Sequence, residues 1–421
     1  MSPASDLQSG GSPITDPAGR WGPWLWVAAA LSAGWAVAAA VASAVGRLQL
    51  DMATYLLGAH HEVDGRLYQV SLSVPPHLPF TYPPFAALAF APLTVLSEPS
   101  AQVVWSLVSV AALFALLYLS VRAVRPQLPA NQMIRWSLVL MTPAYLLEPV
   151  RLTFYFGQVN VVLAAMVLAD LTGHLRLGGR TLPRGVLLGA AAAVKLVPLV
   201  FVPYLFVTRQ TRAAWVALAT MVGCTLVAGL TDPRVSWSYW TKYATDARRV
   251  GAPWYISNQS LRAAADRFDH RVVSTAVVTA GAAVVLVAGI ALAAWASRVS
   301  SRFLGILVCA TTGLLVSPIT WAHHLVWVAP VLVWLVWGRD RPAGGRLWAA
   351  ATAAVFWWGP IWSVPNGNGS ELHEHGWQLL AGNSFFLATV VFMVGVAAML
   401  WRRQRLAGMV AGPPRLVVAQ D

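Results

Sequence analysis

The chain has 421 residues, of which 57% are hydrophobic and 11% are charged, and its formal net charge is +13. A soluble domain carries roughly 25% charged residues, so this composition excludes a soluble fold and predicts a protein embedded in a bilayer. The positive charge does not indicate nucleic-acid binding, because no basic run is interleaved with aromatic residues on a soluble segment.

Residues 1–23 are rich in Ser, Gly and Pro and lack the features of a signal peptide, which predicts a disordered cytoplasmic tail. Eleven apolar segments follow, each judged against the roughly 20 residues that cross a bilayer. They are Trp24–Val45, Val103–Leu119, Ser137–Val150, Gly157–Leu171, Gly185–Val207, Ala213–Leu230, Val272–Ala296, Phe303–Val316, Trp321–Trp337, Leu347–Trp362 and Ser384–Trp401.

Cytoplasmic loops of membrane proteins carry an excess of Lys and Arg. This rule fails if Gly185–Val207 crosses once, because Arg209 and Arg212 then fall outside. It holds if the segment enters and returns as two half-helices that turn near Lys195 and Pro198, since proline interrupts helical hydrogen bonding. The charges therefore predict about twelve crossings in one domain over residues 24–401, with residues 402–421 as a basic cytoplasmic tail.

This topology leaves three long loops on the outer side, residues 46–102, 231–271 and 363–383, and they hold most of the acidic residues. We therefore expect the active site in these outer loops of an all-α polytopic membrane protein.

The first outer loop begins with Asp51, followed by the aromatic residues Tyr55 and Tyr82. A carboxylate beside an apolar wall is suited to act as a general base, because desolvation raises its pKa. The alternative is an ion pair with Arg47, four residues earlier. After Tyr82, the apolar stretch Phe85–Leu96 is too short to span the membrane and is either a wall for a lipid tail or a structural turn.

Two amides, Gln158 and Asn160, lie at the outer end of the fourth segment. They either bind sugar hydroxyls or bond neighbouring helices. Arg151 nearby is expected to pair with Glu148 rather than to hold a phosphate. Lys195 is an intramembrane cation, either a ligand for a lipid phosphate or, as we favour here, a pin that bonds backbone carbonyls freed by the helix break.

The second long outer loop places the amides Asn258 and Gln259 beside Trp254 and Tyr255, a pairing common in sugar binding. Further along, His323 and His324 open an apolar segment at its outer end. An imidazolium there would neutralise a leaving phosphate. Adjacent helical residues point about 100° apart, so the pair is not expected to chelate one metal ion.

The order of these motifs resembles the actinobacterial GT-C mannosyltransferases that use polyprenyl-phosphate-mannose and make phosphatidylinositol mannosides and lipomannan. The resemblance covers about residues 51–330 and departs from the family at Ala322, where many members carry an acidic residue. It is carried by Asp51 through Tyr55, Asp64-Gly65 through Tyr68, Tyr82-Pro83-Pro84 through Leu93, Gly157-Gln158-Val159-Asn160, Ala193 through Pro198, Asn258-Gln259-Ser260, and Ser317-Pro318 through His324.

The resemblance implies a GT-C fold in the cell membrane with its site on the periplasmic face, and Asp51 as the base. It implies an α-1,2-mannosyltransferase whose partners are the lipid donor, a mannosylated glycolipid acceptor and the surrounding membrane lipids. We expect Phe80, Tyr82 and the following apolar helix to seat the polyprenyl chain. The scheme needs neither a metal nor a cofactor. The alternatives are an arabinofuranosyltransferase that uses decaprenyl-phosphate-arabinose, and a transporter or lipid flippase.

Overall fold

The computed structural model describes residues 22–173, 176–177 and 180–411. Within these ranges the named secondary-structure elements are helices, apart from one short hairpin of strands β1 (Arg176–Leu177) and β2 (Arg180–Thr181), which pair antiparallel, and loops connect them. The predicted terminal tails lie largely outside the described residues, which begin at residue 22 and end at residue 411. The helix that ends at residue 411 includes the first part of the predicted basic tail.

The α-helices are α1 Gly22–Val45, α2 Leu50–His60, α3 Pro84–Phe90, α4 Glu98–Val124, α5 Ala130–Val139, α6 Met141–Tyr145, α7 Glu148–Phe156, α8 Asn160–Thr172, α9 Val186–Val194, α10 Phe201–Val207, α11 Thr211–Thr231, α12 Pro233–Ser238, α13 Leu261–Phe268, α14 Thr275–Val299, α15 Arg302–Val316, α16 Val328–Trp337, α17 Gly345–Trp358, α18 Trp377–Gly382 and α19 Ser384–Ala411. Short 3-10 segments occupy Ala91–Val95, Val197–Val200, Ala247–Val250, Ala322–Trp327, Pro360–Ser363 and Ser370–His373, and a π-helical turn occupies Tyr239–Tyr243.

Five of the described helices, α1, α4, α11, α14 and α19, are each long and apolar enough to cross a membrane. A sixth crossing is possible if α7 and α8 act together across their 116° bend. The prediction of a polytopic helical membrane protein is therefore confirmed, but the count of twelve crossings is not. Several predicted segments are broken: Ser137–Val150 is divided among α5, α6 and α7, and Trp321–Trp337 begins as a 3-10 segment.

The predicted re-entrant hairpin is present in α9 and α10. Arg184, just before α9, donates a 2.8 Å hydrogen bond to Gln210, just after α10, so the chain leaves the hairpin where it entered. At 1.5 Å per residue the nine residues of α9 rise about 14 Å, roughly half of a bilayer core. The hairpin tip, at Lys195 through Val200, therefore ends inside the molecule rather than at the far surface.

Glycine allows the hairpin to pack closely on α11. A Cβ at Gly189 would collide with the backbone oxygen of Ala217, at a distance that real Cβ atoms do not reach. Asp170, at the end of α8, accepts hydrogen bonds from the backbone N–H groups of Gly185 and Leu188 and so caps the start of α9. These contacts hold the base of the hairpin, and thereby set the position of its tip.

Arginine side chains gather at the end of the bundle where the hairpin begins, which we call the basic end. There Arg403 of α19 donates to Ser300 Oγ and to the backbone oxygen of Asp340, and Arg298 donates to the backbone oxygen of Val207. Helix α11 leads away from this end, and its last residue, Thr231, donates to Glu62 in loop 46–102. The loop therefore lies at the opposite end, which we call the site end.

The other two long loops also lie at the site end and pack on each other. The buried guanidinium of Arg267 donates to the backbone oxygens of Trp254, Tyr255 and Asn258 and to Asn383 Oδ1. Because a buried cation is stable only when its donors are satisfied, Arg267 joins loop 231–271 to the start of α19.

Candidate active site

Asp51 lies in the first turn of α2, close to the extended residue Gln49 that precedes this helix. Gln49 is fully buried and donates to Ser106 Oγ at 3.1 Å and to the backbone oxygen of Phe154 at 2.7 Å, which fixes α2 against α4 and α7. Burial raises the pKa of the Asp51 carboxyl, while a hydrogen bond from Gln158 and the charge of Lys195 act in the opposite direction. This combination gives a carboxylate that is more basic than an exposed one.

The alternative pairing of Asp51 with Arg47 does not occur among the described residues. The guanidinium carbon of Arg47 lies 4.3 Å from the ring centroid of Tyr155, where it makes a cation–π contact. The expected pair of Arg151 with Glu148 is confirmed, and Trp362 also donates to Glu148, at 2.6 Å.

Gln158 connects Asp51 to two tyrosines. Its Oε1 accepts from Tyr55 Oη at 2.9 Å, and its Nε2 donates to Tyr82 Oη at 3.0 Å. The two hydroxyl oxygens lie 3.2 Å apart. Because Tyr55 occupies the carbonyl oxygen, the amide nitrogen is turned toward the acceptors, Asp51 and Tyr82.

The bend that presents Gln158 to Asp51 depends on Gly157. This residue ends α7 with φ of 71°, a left-handed conformation that glycine adopts without strain. A Cβ at this position would also lie 2.7 Å from Met52 Cβ and 2.9 Å from Gln49 Oε1. The glycine therefore permits both the turn between α7 and α8 and the contact of that turn with α2.

Lys195 at the hairpin tip contacts the opposite side of the same region. Its Nζ lies 2.9 Å from Asn160 Oδ1, 3.0 Å from His324 Nε2 and 5.4 Å from the ring centroid of Tyr82. The expectation that Lys195 donates to freed backbone carbonyls is wrong, because the atoms at hydrogen-bond distance from its Nζ belong to the side chains of Asn160 and His324. The hairpin instead carries a cation into the group that contains Asp51.

His323 and His324 come from the 3-10 segment that precedes α16, and their ring centroids are 4.8 Å apart. Both side chains are buried. His323 packs edge-on against Phe156 at 5.5 Å, and neither of its ring nitrogens has a hydrogen-bond partner among the described residues. Its backbone oxygen accepts from Asn160 Nδ2 at 3.0 Å, so the segment is tied to the start of α8.

A narrow crevice with a cavity volume of about 50 Å³ opens beside Lys195. Its polar wall is formed by three side chains, Asn160, Lys195 and His324, and the rest of its lining is apolar. The apolar residues are Leu163, Ala164, Val167, Val197, Pro198, Val200, Phe201, Ala310, Leu314, Val326 and Trp327. A cavity with a cation at one end and hydrocarbon walls elsewhere is suited to an anionic lipid.

Comparison with known proteins assigns the chain to a family. The profile of glycosyltransferase family 87 matches residues 80–318, more than half of the sequence. The chain belongs to glycosyltransferase family 87. It is 32% identical over 417 residues to a polyprenol-phosphate-mannose-dependent alpha-(1-2)-phosphatidylinositol mannoside mannosyltransferase of Mycobacterium tuberculosis, covering 92% of this chain and 94% of the relative.

Another relative, from Mycolicibacterium smegmatis, has the same description and is 32% identical over 392 residues, covering 83% of this chain and 84% of the relative. A polyprenol-phosphate-mannose-dependent alpha-(1-2)-phosphatidylinositol pentamannoside mannosyltransferase of Mycobacterium tuberculosis is 35% identical over 277 residues, covering 64% of this chain and 61% of the relative. No solved structure matches the chain. The predicted membership of a GT-C glycosyltransferase family is confirmed.

Two amides predicted to bind the sugar are used differently in this family 87 chain. Asn258 Nδ2 donates to the backbone oxygens of Pro253 and Pro318, and its Oδ1 accepts from the N–H groups of Ser260 and Thr320. Gln259 Nε2 donates to the backbone oxygens of Ile256 and Gly382, and its Oε1 accepts from the N–H of Phe386. Both side chains are buried, and their hydrogen bonds hold the loops at the site end together.

The expected seat for the lipid tail is also occupied by the protein itself. Phe80 is fully buried, and a Cβ on Gly58 would collide with its ring, so Phe80 packs tightly on α2. Ala86, Ala87 and Phe90 of α3 are buried as well. The crevice beside Lys195 is the alternative apolar space for the lipid tail.

One contributor to the site has no signal in the sequence. Thr153 Oγ1 donates to the backbone oxygen of Pro149 and, at 3.2 Å, to that of His323. The second contact joins residues 170 positions apart, so no local pattern marks it. It adds a further link between α7 and the histidine segment.

Proposed function

We propose that this glycosyltransferase transfers mannose from polyprenyl-phosphate-mannose to a mannosylated glycolipid, a phosphatidylinositol mannoside or lipomannan, and forms an α-1,2 linkage. The observation that carries the proposal is one group of side chains that contains a basic carboxylate, Asp51, and a cation, Lys195, beside an apolar crevice. The descriptions of the Mycobacterium and Mycolicibacterium relatives support the choice of donor and acceptor.

In the proposed reaction Asp51 removes a proton from the acceptor hydroxyl. The hydroxyl oxygen forms a bond to the anomeric carbon while the bond from that carbon to the phosphate oxygen breaks. The lipid phosphate departs with the electron pair, and inversion of a β-linked donor gives an α-linked product. Because the phosphate is already a stable anion, the step needs no separate general acid, unlike glycoside hydrolysis.

Four side chains near Asp51 are arranged for this chemistry. Gln158 orients the carboxylate, and Tyr55 orients Gln158. Lys195 and His324 line the crevice and would face the phosphate, whose charge increases as the bond breaks. The apolar lining would hold the polyprenyl chain by excluding water from it.

The proposal is tested by transfer assays in membranes that contain the wild-type chain, Asp51→Asn or Asp64→Asn. Asp64 is an exposed acid of the same loop that pairs with Arg66, so its substitution controls for loss of a carboxylate. We expect mannose transfer by wild type and Asp64→Asn and its loss in Asp51→Asn. Full activity of Asp51→Asn would refute the assignment of Asp51 as the base. Transfer of arabinose but not mannose by the wild type would show that the donor carries arabinose.

We further propose that the site end faces the periplasm and the basic end faces the cytoplasm of the cell membrane. Support comes from the arginines at the basic end, since cytoplasmic ends of membrane proteins are enriched in Lys and Arg. Gln69 in loop 46–102 and Arg402 in α19 lie at opposite ends. In a chain whose two native cysteines are replaced, a membrane-impermeant thiol reagent should label Gln69→Cys and not Arg402→Cys in intact cells. The reverse pattern would contradict the orientation.

A further inference from the structure

The surroundings of Lys195 determine its charge. Asn160 Oδ1 is an acceptor at 2.9 Å, the face of the Tyr82 ring lies 5.4 Å away, and the carboxylate of Asp51 acts on the amine electrostatically. Burial of Lys195 favours the neutral amine, whereas a hydrogen-bond acceptor, an aromatic face and a negative charge each favour the ammonium. We take Lys195 to be the ammonium because all three of these groups surround its Nζ atom.

The orientation of the Asn160 amide supports the same conclusion. Asn160 Nδ2 donates to the backbone oxygen of His323 at 3.0 Å, and a carbonyl oxygen can only accept. The amide nitrogen must therefore face His323, which leaves the amide oxygen facing Lys195. An exchange of the two amide atoms would place an oxygen against the carbonyl oxygen and an N–H against the ammonium.

A charged Lys195 then determines the tautomer of His324. An ammonium has three N–H donors and no lone pair, so the contact of 3.0 Å between Lys195 Nζ and His324 Nε2 requires Nε2 to accept. The Nε2 atom then carries no proton. A neutral imidazole with an unprotonated Nε2 has its proton on Nδ1. In an imidazolium, the Nε2–H of His324 would face an N–H of Lys195, with no acceptor between the two donors.

The resulting N–H of His324 has no acceptor among the described residues. Nδ1 is buried, and the residue is only 9% exposed. A buried donor without a partner is destabilising unless a water molecule or a ligand completes it. His324, Lys195 and Asn160 all line the crevice, whereas His323 does not.

We propose that Lys195 fixes His324 as the neutral Nδ1–H tautomer and that this N–H, together with the ammonium of Lys195, binds the phosphate of the lipid donor. The inference rests on the proposed function and extends it. It assigns the positive charge to Lys195 and a directional neutral donor to His324, in place of the histidinium expected from the sequence. It also selects His324 over His323 as the residue that touches the phosphate.

The proposed pair is suited to the change of charge during transfer. Before reaction Asp51 carries one negative charge and the phosphodiester of the donor carries another. After reaction Asp51 has gained the proton of the acceptor, and the phosphate is a monoester that carries close to two negative charges. The attraction of Lys195 therefore moves from Asp51 to the phosphate as the bond breaks, while the total charge of the site stays constant.

The tautomer is measurable without catalysis. The protein is labelled with nitrogen-15 in the imidazole rings, and its spectra are recorded in detergent at neutral pH, with His324→Asn used to identify the resonances of His324. We expect one protonated nitrogen, Nδ1, and one unprotonated nitrogen, Nε2, and we expect Lys195→Met to reduce this preference. A wild-type His324 that is protonated at Nε2 or at both nitrogens would overturn the proposal.

The phosphate contact is tested on the same sample. Polyprenyl phosphate, which lacks the sugar, should shift the Nδ1–H resonance of His324, and the uncharged polyprenol should not. Failure of polyprenyl phosphate to bind, or binding without this shift, would overturn the proposal that the Nδ1–H of His324 contacts the phosphate. Neither measurement uses mannose transfer, so a wrong donor sugar or acceptor leaves both results unaffected.

Kinetics separate the two ring positions. The amide nitrogen of an asparagine side chain can take the position of His Nδ1, and the amide nitrogen of a glutamine side chain can take the position of His Nε2. We expect His324→Gln to raise the KM for the donor about tenfold or more, as loss of a hydrogen bond to a charged group does, and His324→Asn to raise it less. The opposite order, in variants with equal thermal stability, would contradict the Nδ1–H assignment. Lys195→Arg, which keeps the charge, should retain more activity than Lys195→Met.

Discussion

Gln158 gives the sharpest test of how Asp51 is held. Replacement by leucine keeps the approximate volume of the side chain but removes three contacts: the hydrogen bond to Asp51, acceptance from Tyr55 at 2.9 Å and donation to Tyr82 at 3.0 Å. A hydrogen bond to a charged group contributes about 1.5–3 kcal/mol. If that energy holds Asp51 in its reactive position, kcat should fall roughly 10- to 150-fold, at about 1.36 kcal/mol for each factor of ten.

The pH dependence gives an independent readout for the same variant. The hydrogen bond from Gln158 lowers the pKa of Asp51, so its removal raises that pKa. Asp51 must be ionised to accept a proton, and activity therefore rises as the pH passes upward through its pKa. The acid limb of the rate profile should move to higher pH in Gln158→Leu.

The assay measures initial rates of labelled mannose transfer to a lipid acceptor, normalised to the amount of folded protein, across a pH series. Gln69→Leu is the matched control, because Gln69 is exposed in loop 46–102 and its side chain has no hydrogen bond among the described residues. Tyr55→Phe removes the hydroxyl that contacts Gln158 Oε1 and Tyr82 Oη but keeps Gln158 itself, and it should cause a smaller loss of kcat. A Gln158→Leu enzyme with wild-type kcat and an unmoved acid limb would refute the reasoning.

Three further outcomes follow from the structure. Asp51→Asn should reduce transfer by about 10²- to 10⁴-fold, as loss of a general base does, and a decrease of similar size in Asp64→Asn would contradict that role. Arg267→Met should lower the free energy of unfolding by about 3–5 kcal/mol, because it leaves backbone oxygens without their donor, whereas the exposed Arg271→Met should change it little. Burial raises the pKa of Glu374 to about 7, so its folded form binds a proton more tightly than the unfolded chain and its ionisation opposes folding. Glu374→Gln should therefore raise the melting temperature more at pH 8 than at pH 5, and a gain that is equal at both values would exclude this cause.

The hairpin of α9 and α10 shows what charge alone can reveal. The sequence indicated that residues 185–207 turn back, because a single crossing would reverse the sidedness of Arg209 and Arg212. The bond between Arg184 and Gln210 confirms that turn. The same reasoning predicted twelve crossings, which the structure does not confirm, because hydropathy does not mark where a short helix bends or ends.

The two amide pairs show a limit of sequence reasoning about sites. Gln158 and Asn160 form hydrogen bonds with side chains of the group around Asp51, whereas Asn258 and Gln259 form hydrogen bonds with the backbone. Both pairs lie beside aromatic residues at the site end. Only the partner atoms distinguish them, and most of those partners are distant in sequence.

Composition and charge by themselves determined that this protein is a helical membrane protein, that one segment re-enters, and that Asp51 and the histidine pair lie at the same end. These properties follow from the periodicity and sidedness that a bilayer imposes on every segment. Only the tertiary structure decided that Lys195 meets His324 and Asn160, that Phe80 is core, and that Asn258 is structural. Each of those depends on contacts between helices far apart in the chain, for which a single sequence carries no local signal.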